Sequence, residues 1–525
     1  MRRFLERLGS YLPAAVALAL PIVFLPAAED SFILPRASIV IAGACLGAGL
    51  ALIVPRGTRL ETIRLPLAAA AAAALLAFAF SISWPLSFAG AYTRYESLPV
   101  RLGYLGLFAG AVWLLKEKRP RDWVVPAFVF GTSVACLEAI WQWAAHVAYR
   151  PDGNLGNANL LAALVAMAFP LAISRGVRGG PFVVAWWIAA AVLIAGLVTT
   201  TSRSGGLGVL AGCLALLVFA LPGRLAVRAA IASAAVLAGA LALILVSPLH
   251  FLNDDPASLR IHLWQDAVRM ITSRPLTGWG EDATGLAFGR FLTGDWSPGV
   301  TFDRVHSGPL DLTATQGLIG LAALAWVLVV VLRRAWWRRG FGNVAALAAA
   351  ASAYAVWAIF NFDWAPATGA FWLLLGTLWS EIRSAETPDR EPAPASRPAF
   401  WRPVLAVVMV LVAVTLGVLP LLADTWYLQG RADLSVRVDP LQSRYHWSLG
   451  QLLTSQGSLT QGVEEMRRAA DLGETEPGLY VELGDHEAQL GHVSRARDDY
   501  RRALQIDPYY APASQRLATV GSPRS

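Results

Sequence analysis

The sequence predicts an all-α fold, a polytopic helical membrane domain followed by a C-terminal α-solenoid. Three observations predict it. The 525 residues are 56% hydrophobic and only 15% charged. Apolar runs of about 20 residues, the length that crosses a bilayer, recur through most of the chain. After residue 422 the composition turns polar and the pattern repeats at an interval of 34 residues.

Hydrophobic spans are expected near 11–28, 34–54, 66–84, 99–115, 123–148, 156–173, 181–200, 205–221, 229–248, 310–332, 343–360, 364–380 and 403–422, thirteen in all. The opening "MRRFLERLGSYLPAAVALALPIVFLPAAED" has a basic end and an apolar centre like a signal peptide, but more spans follow, so it reads as a retained first helix. With the N-terminus in the cytoplasm, the inner connections hold 22 Lys and Arg against five on the short outer ones and five more in 249–309. This is the positive-inside bias. It divides the chain into a membrane domain 1–382 with a long outer loop 249–309, a cytoplasmic linker 383–402, a last span 403–422 and an extracytoplasmic tail 425–520. The formal charge of +7 comes largely from arginines at span ends and implies no nucleic-acid partner. Cys45, Cys136 and Cys213 fall inside apolar runs with no CxxC or Cys/His spacing, so neither disulfides nor a metal site is indicated.

In the tail, "LGQLLTSQG" at 449–457 and "LGDHEAQLG" at 483–491 stand 34 residues apart, as do "RRAADLG" at 467–473 and "RRALQID" at 501–507. A 34-residue helix–turn–helix period is the tetratricopeptide signature, and "YRRALQIDPYYAPA" resembles the end of such a repeat. "RADLSVRVDP" at 431–440 looks like a degenerate earlier copy. Two repeats and a fragment fall short of the three usually needed for stability alone, so the tail is expected to dock on the membrane domain or on an envelope partner.

With this topology every even-numbered span begins outside, where helix N-termini offer unpaired N–H groups and partial positive charge to anions. "PDGNLGNANLLA" opens the sixth span with Asn154, Asn157 and Asn159. "TTTSRSGGLG" opens the eighth with Arg203 and Ser204, and "VHSGPLDL" opens the tenth with His306, Ser307 and Pro309. Singly these are ordinary capping residues; their clustering on one face carries the signal. The 249–309 segment is too long for a plain connection. Within it "DDPASLRIHLWQDAVRMITSRP" reads as an interfacial helix capped by Asp255. Its expected apolar stripe is Leu259 or Ile261, Trp264, Val268 and Ile271, with Arg260, His262, Asp266 and Arg269 on polar sides. Arg203, at a junction of two apolar spans, must reach water, a phosphate or a partner, because an arginine at bilayer depth costs roughly 2.5–3.5 kcal/mol. Glu138, in the middle of the fifth span, is expected to pair with an arginine or with His146.

"GNLGNANLLA", "TTSRSGGLGVL", "RIHLWQDAVRMITSRPLTGWG" and "VHSGPLDLTATQGLIG", in that order and on one face, resemble the O-antigen ligase and O-antigen polymerase superfamily of bacterial membrane glycosyltransferases. "FAGAYTRYESLPVRLGY" resembles the family's outer Gly…Arg segment more weakly, so the similarity spans most of residues 80–380. The resemblance implies a GT-C-like membrane fold in the bacterial inner membrane. It also implies a polyprenyl-diphosphate-linked glycan donor, transfer at the outer face, and no nucleotide sugar, metal or other cofactor. Carried over, Arg203 and Arg260 match the family's essential arginines, which would hold the diphosphate, and His306 matches its essential histidine, the general base. Asn157, Asn159, Ser204, Arg274 and Trp279 would line the substrate site. The acceptor stays open among lipid A core (a ligase), a growing glycan (a polymerase) and a protein hydroxyl (an O-oligosaccharyltransferase). Two other classes compete. A flippase for lipid-linked sugars would need duplicated helix halves and charges along a midplane path, and a repeat-bearing scaffold would need neither so many spans nor the Arg203, Arg260 and His306 set.

Overall fold

The computed structural model describes residues 7–53, 60–246, 257–386 and 401–520. Most of the basic N-terminal end, Arg56 and Arg59 of the first inner connection, the Asp255 cap and the linker residues 387–400 lie outside them.

All the described regular structure is helical. The first half carries α1 (Leu12–Ile22), α2 (Ile33–Ile53), α3 (Arg64–Ala79), α4 (Trp84–Ala89), α5 (Leu98–Leu114), α6 (Lys118–Ala144), α7 (Ala158–Arg178), α8 (Val183–Thr200), α9 (Arg203–Ala220) and α10 (Gly223–Val246). Then come the loop helix α11 (Ala257–Ser273), α12 (Gly308–Trp337), α13 (Val344–Ala358), α14 (Ala365–Glu386) and α15 (Trp401–Leu428). Each of the thirteen predicted segments falls on a helix. Only eight of those helices are long and apolar enough to cross a membrane by length and composition; α1, α3, α5 and α13 are apolar but run to 17 residues at most. At 1.5 Å per residue such helices reach about 26 Å, short of a typical hydrocarbon core.

Side-chain size sorts the bundle. The apolar window of α7 is 78% buried and that of α10 0%, so α10 lies at the margin of the bundle. On α9 a Cβ added at Gly208 would stand 3.0 Å from Ala166 and 3.1 Å from the Ala353 carbonyl, and one at Gly212 3.0 Å from the Ala353 methyl. These small residues let α9 press against α7 and α13, the packing that holds helices together where lipid replaces water. Arg36, fully buried in α2, donates to the carbonyls of Leu20 (2.8 Å), Phe32 (2.7 Å) and Asn154 (2.9 Å), tying the end of α1 to the turn before α7. Glu138 makes none of the expected pairs among the described residues.

α12 is two helical segments joined across Gly317, whose φ of 69° and ψ of −173° are non-helical. The break is stitched by the "PLTGWG" stretch of the loop between α11 and α12. Trp279 and Gly280 donate their N–H groups to the carbonyls of Ala314 (2.9 Å) and Thr315 (3.0 Å), while Leu318 N–H donates to Pro275 (2.7 Å) and Ile319 N–H to Leu276 (3.5 Å). The groups freed by the break thus find partners within the chain, as a low-dielectric setting requires.

The expected face of α11 is met in part: Leu259, Trp264 and Ile271 pack against the core that the helix forms. Leu263, Ala267 and Met270 are buried with Trp279, Phe288 and Val305, whereas Ile261 and Val268 are each 48% exposed. Asp266, expected on a polar side, is fully buried, accepting from Thr293 N–H (3.1 Å), Thr293 hydroxyl (2.8 Å) and the Trp296 indole (2.8 Å). The 283–296 stretch folds back over α11 and supplies the second layer.

After α15 the tail runs through α16 (Ala432–Val438), α17 (Ser443–Ser455), α18 (Leu459–Leu472), α19 (Pro477–Gln489), α20 (Val493–Ile506) and α21 (Ala511–Thr519). The starts of α17, α19 and α21 are 34 residues apart, as are those of α18 and α20. Their shared core includes Met466, Leu479, Tyr480, Tyr500 and Ile506, and Leu286 of the loop between α11 and α12 packs against it. The tail is therefore seated on the membrane domain: Gly289 lies against the Ile506 carbonyl, Thr475 against Gly285, and the Thr301 hydroxyl donates to Asp507 (3.3 Å).

Candidate functional site

The site is organised by a segment that the sequence reading passed over, the "FNFDW" turn between α13 and α14, residues 360–364. Each of its first four residues meets a different element. Phe360 offers its carbonyl to Arg260 of α11 (2.6 Å). Asn361 donates its side-chain amide to Ser204 (3.0 Å), next to Arg203 at the start of α9. The Phe362 ring takes His306 edge-on, with centroids 5.2 Å apart. Asp363 pairs with Arg101 of α5. Gly308, opening α12, abuts the carbonyls of Ala358 and Asn361.

The N-terminus of α7 joins the same cluster. Asn157 caps α7 by accepting the Asn159 N–H (2.8 Å). The Asn159 side-chain oxygen accepts from the Ser202 hydroxyl (2.8 Å) and from Arg150 (3.3 Å), and Ser202 caps α9. Asn159, Ser204, Arg203, Arg260 and His306 are thereby drawn around one turn, where three helix starts converge. Such N-termini and guanidinium groups suit an anion. Arg274 and Trp279 do not join them. Arg274 donates to the Phe80 carbonyl (3.3 Å) and stacks on Trp279 (4.4 Å), whose indole donates to Met270 (3.2 Å). Both are spent on holding the loop at the α12 break.

His306 has φ of 55°, a left-handed backbone uncommon outside glycine and a feature found at functional sites. Asp311, in the first turn of α12, holds the preceding residues: it accepts from Arg304 (2.9 Å) and from Val305 N–H (3.3 Å). The imidazole is left partly exposed.

Behind the turn lies a buried ionic array. Arg101, 7% exposed, is surrounded by Asp363, Glu281 (3.1 Å) and Glu96 (3.6 Å). Arg304, 1% exposed, pairs with Asp282 and Asp311. The Tyr104 hydroxyl donates to Glu96 and the Gln316 amide to Glu281. Burial pushes the Glu96 carboxyl up to about 7, against the pull of Arg101. Arg101, Gln316 and Asp363 form the polar end of a cavity of about 210 Å³ with apolar walls that include Leu312, Leu324 and Trp372. An amphiphile with a polar head is the ligand shape this lining accepts.

Comparison with known proteins now bears on the arrangement. Residues 188–325 match the O-antigen ligase family model. The matched stretch runs from α8 into α12 and includes Arg203, Arg260 and His306, and the match supports glycan transfer of this general kind. The 360–364 turn, Arg101 and the tail lie outside the matched stretch. No tetratricopeptide repeat is detected in the tail. No curated protein matches the chain.

Proposed function

We propose that the protein transfers a glycan from a polyprenyl diphosphate to an acceptor hydroxyl at the outer face of the bacterial inner membrane, in the manner of an O-antigen ligase. The observation that carries this reading is the meeting of the Arg203 helix start, Arg260 and His306 at the 360–364 turn, beside an apolar cavity with a polar end. Arg203 and Arg260 hold the diphosphate and offset its charge, and Asn159 and Ser204 line the approach. The donor's isoprenoid chain lies along the apolar walls. His306 accepts the proton of the acceptor hydroxyl as its oxygen attacks the anomeric carbon. The bond from that carbon to the diphosphate oxygen breaks, polyprenyl diphosphate leaves, and the anomeric configuration inverts. A neutral imidazole suits this task, and no metal enters the scheme.

The arginine bias of the connections supports an orientation with the N-terminus and linker in the cytoplasm and the 249–309 loop and tail outside. In this reading α1, α3, α5, α13 and α14 are further spans, bringing the count to thirteen, and the tail is a short tetratricopeptide-like module. Its seat on the loop that carries His306 suits a role in presenting an acceptor or an envelope partner.

The test uses the purified full chain in detergent, a polyprenyl-diphosphate glycan donor and a chelator, scored by glycan moved to acceptor. His306→Ala is expected to lose roughly 10²–10⁴-fold in rate. Arg203→Lys and Arg260→Lys should recover little, since a point charge does not replace the planar fork. Near-normal turnover by His306→Ala overturns the general-base role, and a requirement for divalent metal overturns the scheme.

A further inference from the structure

A second cavity, of about 200 Å³, lies on the other side of α5, between α2 and α15 and beneath the turn that leads into the tail. Its walls toward the bilayer are apolar, with Ile41 of α2, Val100 of α5 and Leu416 of α15. Its outer end is polar, formed by Tyr95, Asp439 and Gln442. Two features set it apart from a packing gap. Tyr95 is 5% exposed and its hydroxyl has no partner among the described residues. Gln442 is 2% exposed; its amide nitrogen donates to the Gly90 carbonyl (3.3 Å), yet its side-chain oxygen likewise has no partner among them. Buried polar atoms in folded proteins are nearly always matched, so two orphans at the end of one cavity point to a ligand that matches them.

The chemistry of that ligand follows from the lining. The Gln442 oxygen accepts only, and Asp439 brings a carboxylate. Asp424, just behind Tyr445, brings another, accepting from the hydroxyls of Tyr92 (2.8 Å) and Tyr445 (3.0 Å). The lining includes no lysine or arginine. An anionic head is excluded by charge, and a head with several N–H donors and a positive charge is favoured. Access is from the bilayer, since only 17% of the apolar window of α15 is buried. Where α15 borders the cavity it widens into a π-turn, Val414–Val418, a distortion that recurs at functional sites.

We propose that this cavity binds a phospholipid with a primary ammonium headgroup, of phosphatidylethanolamine chemistry. Its ammonium is held by the Gln442 oxygen, the Tyr95 hydroxyl and the Asp439 carboxylate, and one acyl chain lies between α2 and α15. The lipid joins the root of the tail to the membrane domain, independently of the transfer chemistry.

The experiment is native mass spectrometry of the full chain in detergent, titrated separately with phosphatidylethanolamine, phosphatidylcholine and phosphatidylglycerol of matched acyl chains. Phosphatidylethanolamine is expected to be retained at least about tenfold more tightly than either of the others, the worth of a charge-assisted hydrogen bond. Gln442→Leu and Tyr95→Phe should each erase most of that preference. Tyr95→Phe removes a single hydroxyl that no described residue engages, so it keeps the test valid should Gln442→Leu fail to fold. Equal retention of the three lipids, a preference for phosphatidylglycerol, or an undiminished preference in Tyr95→Phe overturns the proposal.

Discussion

Glu96 shows what a single buried carboxyl imposes on the protein. It sits in a cluster where Arg101 faces three carboxylates, and burial lifts it to about 7. In the unfolded chain it would titrate near the ordinary value of about 4.3. Between these two values the folded protein holds a proton that the unfolded chain has released. Its contribution is therefore complete below the ordinary carboxylate range and is lost as pH rises toward about 7. Glu96→Gln should flatten the decline of melting temperature over that window and gain up to about 3 kcal/mol on the wild type at about pH 8. Parallel melting curves for the two proteins across the window would refute the assignment. Arg203 and His306 were legible in the sequence because each is a polar interruption at the mouth of an apolar run. Asn361 and Asp363 were not: two polar residues in a turn of a few residues between spans look like a plain connection, and only folding shows that they reach α5 and α9.

At the level of elements, the break in α12 is the least replaceable feature. A Cβ at Gly317 would stand 2.1 Å from the Leu276 carbonyl oxygen, and the positive φ disfavours any side chain. Gly317→Ala should lower stability by about 1–3 kcal/mol. Gly340→Ala, with nothing within 4 Å of the added carbon, is the matched control. The check is the melting temperature of both variants in detergent, and equal values would mean the break is not held as described. Hydropathy marked α12 as one continuous span because a lone glycine does not interrupt an apolar run. The helical period also set Val268 on the packed face of α11 beside Leu259, Trp264 and Ile271, and left out Leu263 and Met270, which are buried there. What decided between them was the 283–296 cover, a long-range contact that periodicity does not encode.

For the whole molecule, the decisive contact joins tail and membrane domain. A Cβ at Gly289 would meet the Ile506 carbonyl at 2.2 Å, so Gly289→Val should unseat the tail while leaving the spanning helices folded. The expected outcome is faster hydrogen exchange and proteolysis across 283–305 and at the ends of α19 and α20, with a monodisperse elution unchanged. Unaltered protection would show that the seat does not depend on this contact. The 34-residue period and the apolar runs were legible in the order of the residues, because each recurs along the chain. The seat was not, since it rests on a few contacts between residues some two hundred positions apart, such as Thr301 and Asp507.

The stitching of the "PLTGWG" stretch into α12 has a mechanical consequence. A surface lid can swing because its backbone exchanges one set of hydrogen-bond partners for water. This loop has no such freedom, since lifting it would strip four backbone pairs from the middle of a spanning helix. Because the four pairs fall on both sides of Gly317, the loop splints the break, and loop and both segments of α12 form one stiff unit that carries His306 at its end.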